Sequence, residues 1–255
     1  VRPYILLTND DGISSPGLRA AARAVEVFAD ILIVAPRYQQ TGMGRSFPRN
    51  EDTGIIEKIV IDHEKNIFGY GVHGSPAQSV AHGILELVER KPDICISGIN
   101  YGVNLGISLT CSGTLGAAYE AFSHDVRTIA FSYEVPIEEQ RTENFMKIDW
   151  SIVEQTMGKI VIDILDKGFT DKISIYNVNI PNSVDTDTEI RMTTQSRYSH
   201  SIFKAPNRET YDERLILETV PDPMVEFAEK ESDIYAIEHD RIISVTPLGW
   251  NQSVV

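Results

Sequence analysis

Cysteine is almost missing from this chain. Only Cys95 and Cys111 occur, one inside an apolar run and one in a polar loop, with no CxxC pair. That excludes a disulfide-stapled scaffold and a cysteine zinc ribbon, and makes a reducing cytosol the default expectation. Long apolar runs are lacking as well, since charge interrupts each of them well short of the roughly 18 residues that suggest a membrane span. The first apolar stretch, Tyr4 to Leu7, passes straight into Thr-Asn-Asp-Asp and has neither the length nor the cleavage pattern of a secretory signal. The expectation is a soluble, cytoplasmic protein with no membrane partner.

Positive charge is scarce. Lys and Arg number 23 against 37 Asp and Glu, a formal net charge of −14, with a pI near 4.8. Such a field repels polyphosphate backbones and argues against a nucleic acid polymer as partner. A small phosphorylated substrate is still allowed if a divalent cation cancels charge locally. Several catalytic signatures are absent too. His63, His73, His82, His124, His200 and His239 are scattered without HExxH pairing, no GxSxG elbow occurs, and no GxxxxGK[ST] loop is present.

What is there reads as α/β. At 255 residues the chain can bury one large core with a small appendage. Tyr4 to Thr8, Ile31 to Ala35, Asp93 to Ser97 and Thr128 to Ser132 are short, Ile/Val/Leu-rich strands of the kind buried on both faces. Ser15-Pro16 and Ser75-Pro76 supply N-caps followed by a first-turn proline. The first helix carries Leu18, Ala21, Ala22, Val25 and Val27 through to Phe28 on its apolar side; a second is expected over Ala77 to Glu89, a third over Leu115 to Phe122 and a fourth over Asp149 to Leu165, ending near Gly168. Beyond it Ile173 to Ile180, Glu189 to Thr194 and Arg214 to Glu218 read as β segments in a polar, Pro- and Asn-punctuated context. The pattern predicts a three-layer αβα, Rossmann-like fold on a mostly parallel sheet, with a small antiparallel β extension near the C-terminus. Residues 1–180 would form the catalytic core, and 181–255 a β extension or oligomerisation arm whose last segment returns to the core.

Open parallel sheets bind ligands beyond the carboxyl ends of their strands. The first strand ends in Thr8-Asn9-Asp10-Asp11-Gly12, and two adjacent carboxylates in a cleft need a counter-charge. Oxygen ligands of the Asp, Asn and hydroxyl type suit a hard ion such as Mg²⁺ or Mn²⁺. The same dipeptide also reads as turn residues, one capping a helix and one solvated. After the third strand, Gly98 to Thr114 is rich in Gly, Asn and Ser and leads into a helix; it reads as a phosphate cradle or as a flexible turn.

Taken together, Leu6 to Gly12, Val34 to Pro36, Gly74 to Pro76, Ser97 to Asn104, Ser112 to Thr114 and Ser244 to Leu248 resemble the survival protein SurE family of 5′-nucleotidases, in that family's order and spacing. The blocks cover most of residues 4–133 and a short C-terminal stretch, while 135–230 matches loosely. The resemblance implies a cytoplasmic phosphatase that hydrolyses nucleoside 5′-monophosphates with one divalent metal ion, as a homodimer or homotetramer. By motif position the metal ligands would be Asp10, Asp11, Thr41 and Asn100, with Asp10, Asp11 and Asn100 catalytic. Asn9, Gly42, Asn104, Ser112, Gly113 and Thr114 would bind substrate. Two other readings stand beside it: a broad-specificity phosphatase or exopolyphosphatase, and a non-catalytic nucleotide-binding module. The family usually has Ser at the position of Thr41, Asp at Arg37, His or Asn at Arg45, and Tyr at Cys111. Arg45 would then offer a fixed cation suited to phosphate.

Overall fold

Strand β1 (Tyr4–Thr8) lies inside the sheet and alternates its side chains between the two faces. Ile5 and Leu7 enter one buried cluster and Leu6 the other. Both faces are therefore apolar, and both require a helical cover. In the computed structural model, which describes residues 2–140, 142, 144–251 and 253, they receive it.

Helix α1 (Pro16–Val25) follows, then β2 (Asp30–Pro36) and a hairpin of β3 (Ile56–Asp62) and β4 (Ile67–Val72). Next come α2 (Pro76–His82), β5 (Ile94–Tyr101), α3 (Gly113–Ser123), β6 (Thr128–Tyr133), α4 (Ser151–Lys167) and β7 (Ile175–Ile180). The chain ends with β8 (Ile190–Met192), β9 (Ser201–Phe203), β10 (Thr219–Pro221), α5 (Asp233–Glu238) and β11 (Ile243–Leu248). The main sheet is nine-stranded, in the order β3-β4-β2-β1-β5-β6-β7-β11-β8, and β9 and β10 form a separate antiparallel pair. Strands from β4 to β7 in that order are parallel neighbours, whereas β3 runs antiparallel to β4 and β11 antiparallel to β7, with β8 parallel to β11 at the edge. Residues of α1 and α4 pack on the Ile5 face, and residues of α2 and α3 on the Leu6 face. The architecture is the expected three-layer αβα fold with a mostly parallel sheet and a small antiparallel addition.

Local chemistry explains the helix starts. Ser15 Oγ accepts from the Gly17 amide at 3.2 Å. Ser75 and Gln78 form a reciprocal box, with Ser75 Oγ accepting from the Gln78 amide at 3.1 Å and Gln78 Oε1 accepting from the Ser75 amide at 2.9 Å. Each such cap is worth about 1 kcal/mol.

The structure corrects the sequence expectations in five places. The β3–β4 hairpin was not expected; Gly69 and Gly71 weaken the β4 signal, yet a Cβ at Gly71 would lie 2.9 Å from Ile59 Cδ1, so close packing calls for glycine there. Helix α2 gives way at Gly83 to a wider π-type turn, Gly83–Leu87, closed by the Val88 amide on the Gly83 carbonyl at 3.0 Å. Val27 is 71% exposed because α1 ends two residues earlier. Strand β7 pairs parallel to β6, so α4 completes another βαβ unit instead of opening an antiparallel extension. Residues 214–218 are exposed and form no strand; pairing begins at Thr219, against β9. Among the described residues no helix is long and apolar enough to cross a membrane.

Candidate active site

The chain winds from β1 to β2 on one side and returns through β5 on the other, so the loops after β1 and β5 diverge at a topological switch point. Thr8 is in register with Ser97, where the pairing of β1 with β5 ends; Asn9–Asp11 then leave the sheet, while β5 runs on to Tyr101 against β6. Asp11 Oδ2 accepts from the Tyr101 amide at 2.9 Å. Asp10 Oδ1 accepts from the Thr114 hydroxyl at 2.7 Å. Helix α3 starts directly against Asp10, for a Cβ at Gly113 would sit 2.7 Å from Asp10 Oδ2. Ser112 caps that helix, its Oγ accepting from the Leu115 amide at 3.2 Å. The amides of Gly113 and Thr114 fall in the first turn, where no intrahelical acceptor exists and the helix dipole favours negative charge.

The loop after β2 closes the crevice from the other side. The Gln40 amide donates to the Asp10 carbonyl at 2.7 Å, and the Gly44 amide to the Cys111 carbonyl at 3.1 Å. Gln39 Nε2 donates to Asp11 Oδ1 at 3.2 Å. Thr41 follows immediately, and its Oγ1 is buried without a hydrogen-bond partner, as is Asn9 Oδ1. Gly42 holds a left-handed φ of 80°, with no protein atom within 4 Å of where a Cβ would sit, so the turn itself favours glycine there. Asn100 is buried and donates Nδ2 to the Gly102 carbonyl at 2.6 Å. That bond commits the nitrogen of the amide and leaves the oxygen as the group it can offer.

Both acids are 3% exposed, and among the described residues no Lys, Arg or His pairs with either. Burial raises the pKa of Asp10 above the carboxylate range. Asp11 is raised by burial and further by the neighbouring charge of Asp10. Two buried acids, an amide oxygen and an orphaned hydroxyl are all oxygen donors, the ligand chemistry that suits a hard divalent cation. Among the described residues no cluster of three or more His, Cys, Asp or Glu that could hold a metal ion exists.

Four of the six histidines are paired elsewhere. His73 pairs with Glu57, His82 with Glu86, His124 with Glu120 and His200 with Glu238. Arg45 Nε donates to Glu120 Oε2 at 2.7 Å, so the cation expected to serve phosphate is balanced by a buried carboxylate. Arg37 is likewise paired, with Glu57 at 3.0 Å.

Asn177, Asn179 and Ser132, which the sequence did not single out, hold Asn104 in place. The Asn104 amide donates to Asn179 Oδ1 at 2.7 Å, and its carbonyl accepts from Asn177 and Asn179 at 2.9 and 3.0 Å. The Asn104 side chain then donates to Ser132 Oγ at 2.8 Å and to Thr114 Oγ1 at 3.3 Å. Asn104 thus reaches Asp10 through Thr114. The available signal was the alternation Ile175-Tyr-Asn-Val-Asn-Ile180, which places two amides on one face of an otherwise apolar strand.

An acid pair at the carboxyl edge of the first strand, against a helix amino terminus, marks the switch point of a three-layer α/β protein. The family described as Survival protein SurE matches residues 5–202. The 5′-nucleotidase SurE of Methanocaldococcus jannaschii is 36% identical over 256 residues, covering 98% of this chain and 93% of the relative. That of Methanobrevibacter smithii is 39% identical over 197 residues, covering 76% and 75%. The crystal structure of the SurE protein from Aquifex aeolicus is similar with a TM-score of 0.77 at 29% identity, covering 98% of this chain and 95% of that one. The chain belongs to the SurE family.

Proposed function

We propose that this protein is a 5′-nucleotidase that hydrolyses nucleoside 5′-monophosphates to nucleoside and phosphate. The observation that carries the reading is the buried Asp10–Asp11 pair, set under the start of α3 with no Lys, Arg or His paired to it among the described residues. Asp10, Asp11, Thr41 and Asn100 would hold one Mg²⁺ or Mn²⁺. When bound, that ion supplies counter-charge to the phosphate oxygens and activates water.

The protein's own part is positional and electrostatic. Thr114 fixes one oxygen of Asp10, and the Tyr101 amide with Gln39 fixes both oxygens of Asp11, so neither acid needs to reorganise on binding. The amides of Gly113 and Thr114, with the dipole of α3, stabilise charge gathering on the phosphoryl oxygens. Asn9, Gly42, Asn104 and Ser112 complete the phosphate surround, Asn104 by holding Thr114. Catalysis takes place in the core of residues 1–180. The extension of 181–255 contributes to a homodimer or homotetramer, and the compartment is the cytoplasm.

The test is phosphate release from AMP, GMP, inorganic polyphosphate and an aryl phosphate, by wild type and Asp10→Asn, with and without EDTA. AMP and GMP should be cleaved best, and either chelation or the substitution should remove at least about 10²-fold of the rate. Full activity after both treatments would reject the reading, and polyphosphate outrunning the monophosphates would move it to an exopolyphosphatase.

A further inference from the structure

Next to Asp11 the surface opens into a cleft of about 200 Å³ whose walls include Ser14, Arg37, Tyr38, Gln39 and Phe145. Asp11 itself lines it, so cleft and acid pair share a wall. The volume lies below the roughly 300–1,000 Å³ of a site that encloses a whole drug-sized ligand, and suits a single ring system.

Its two aromatic side chains come from different loops, and each is fixed by a separate network. Tyr38 is 52% exposed, yet it is not loose. The Arg37 guanidinium stands 4.8 Å from its ring centroid, and the His73 ring meets it edge-on at 5.7 Å. Arg37 and His73 are both anchored on Glu57, at 3.0 and 2.6 Å. Below Tyr38 the chain has no room to slip, because the loop after β1 seats against it: a Cβ on Gly12 would lie 3.1 Å from the Tyr38 carbonyl carbon. Phe145 packs on Tyr101 at 4.9 Å between centroids, and Tyr101 in turn on Trp150 at 5.6 Å. Gln39 joins cleft to acid, donating both to Asp11 Oδ1 at 3.2 Å and to the Gln140 carbonyl at 3.3 Å.

A half-exposed aromatic ring held in place by an ion cluster is a preorganised surface, not a core residue. The charge of Arg37 is balanced by Glu57, so the cleft does not serve as a second phosphate site. What it offers is aromatic surface, with Arg37 covering one face of the Tyr38 ring, and aromatic surface takes an uncharged planar group by stacking. We infer that Tyr38 and Phe145 form the subsite for the base of the nucleotide whose phosphate lies at Asp10 and Asp11. Tyr38 is then a specificity-determining residue, and it acts on substrate choice rather than on the bond broken. The inference rests on the 5′-nucleotidase reading for the position of the phosphate.

The test uses Tyr38→Leu and Tyr38→Phe with Mg²⁺ or Mn²⁺ present. Ribose 5-phosphate shares sugar and phosphate with AMP but lacks the base. Tyr38→Leu should lower the ratio of kcat/KM for AMP over ribose 5-phosphate by about tenfold, mostly through KM, and Tyr38→Phe should restore it. Adenosine, which has no phosphate, should bind wild type in a calorimetric titration and bind Tyr38→Leu about tenfold more weakly. An unchanged substrate ratio together with unchanged adenosine binding would overturn the subsite while leaving the phosphatase reading intact. If no phosphate were released from either ester, the phosphatase reading would fail, and the adenosine titration alone would decide the subsite.

Discussion

Thr114 donates its hydroxyl to Asp10 across 104 residues of chain, at 2.7 Å. The bond ties the first turn of α3 to the loop after β1, and Asn104 reaches the same hydroxyl at 3.3 Å. Replacing Thr114 by valine keeps the shape and removes the donor. We expect kcat to fall about 10- to 100-fold, with a stability loss of about 1–3 kcal/mol from the polar atoms left buried. Thr114→Ser should stay close to wild type. Steady-state kinetics and thermal melts on the two variants check this, and equal losses in both would refute it.

Gly113 makes a sharper case. Alanine is the better helix residue by about 1 kcal/mol, so propensity alone favours Gly113→Ala. The added methyl would nevertheless press on Asp10 at 2.7 Å. Activity should drop by about 10²-fold or more, since displacement of a reacting group by an ångström has that effect. Gly168→Ala provides the contrast: its φ of 74° and ψ of 176° lie in a region almost confined to glycine, with nothing within 4 Å, so it should cost about 1–3 kcal/mol of stability and leave turnover alone.

Stability of the metal-free protein should depend on pH through the acid pair. Burial raises both acids, and the neighbouring charge of Asp10 raises Asp11 further, so above the usual carboxylate range the folded state holds protons that the unfolded chain has already released. The folded state then binds more protons across that window, and stability falls as pH rises through it. In EDTA the melting temperature should decrease between pH 5 and pH 8, and the slope should flatten in Asp11→Asn. Mg²⁺ should restore more stability at pH 8 than at pH 5, because at pH 5 it must displace protons. Asp62, held low chiefly by its hydrogen bond to Arg23, titrates below this range and does not enter. A slope of opposite sign in EDTA would contradict the assignment.

The two thiols should behave differently. Cys95 is buried within β5, and burial pushes its thiol up to about 12, whereas Cys111 is exposed. One thiol per chain should react with an aromatic disulfide reagent at pH 8, and the second only after unfolding. Rapid reaction of two would show that β5 opens readily.

Much of the framework was legible because it depends on neighbours in the chain. The Ile5 to Leu7 run, the Ser-Pro helix starts and the acid pair at a strand end are local patterns, and local patterns follow from backbone sterics and side-chain periodicity. Where the reading failed, a distant partner decided the outcome. The β4 glycines are explained by Ile13, Ile33 and Ile59, the charge of Arg45 by Glu120, and the exposure of residues 214–218 by the absence of a paired strand until Thr219.

The sequence by itself determined the layered α/β class, the order of its main strands and helices, and the chemical character of the oxygen-rich loops. Only the tertiary structure decided that Asn177 and Asn179 would brace Asn104, that Arg37 and Arg45 would be neutralised, and that Tyr38 and Phe145 would share a wall with Asp11. The reason is reach: a hydrogen bond or ring contact acts over a few ångströms, and which remote groups come that close depends on sheet register and loop path.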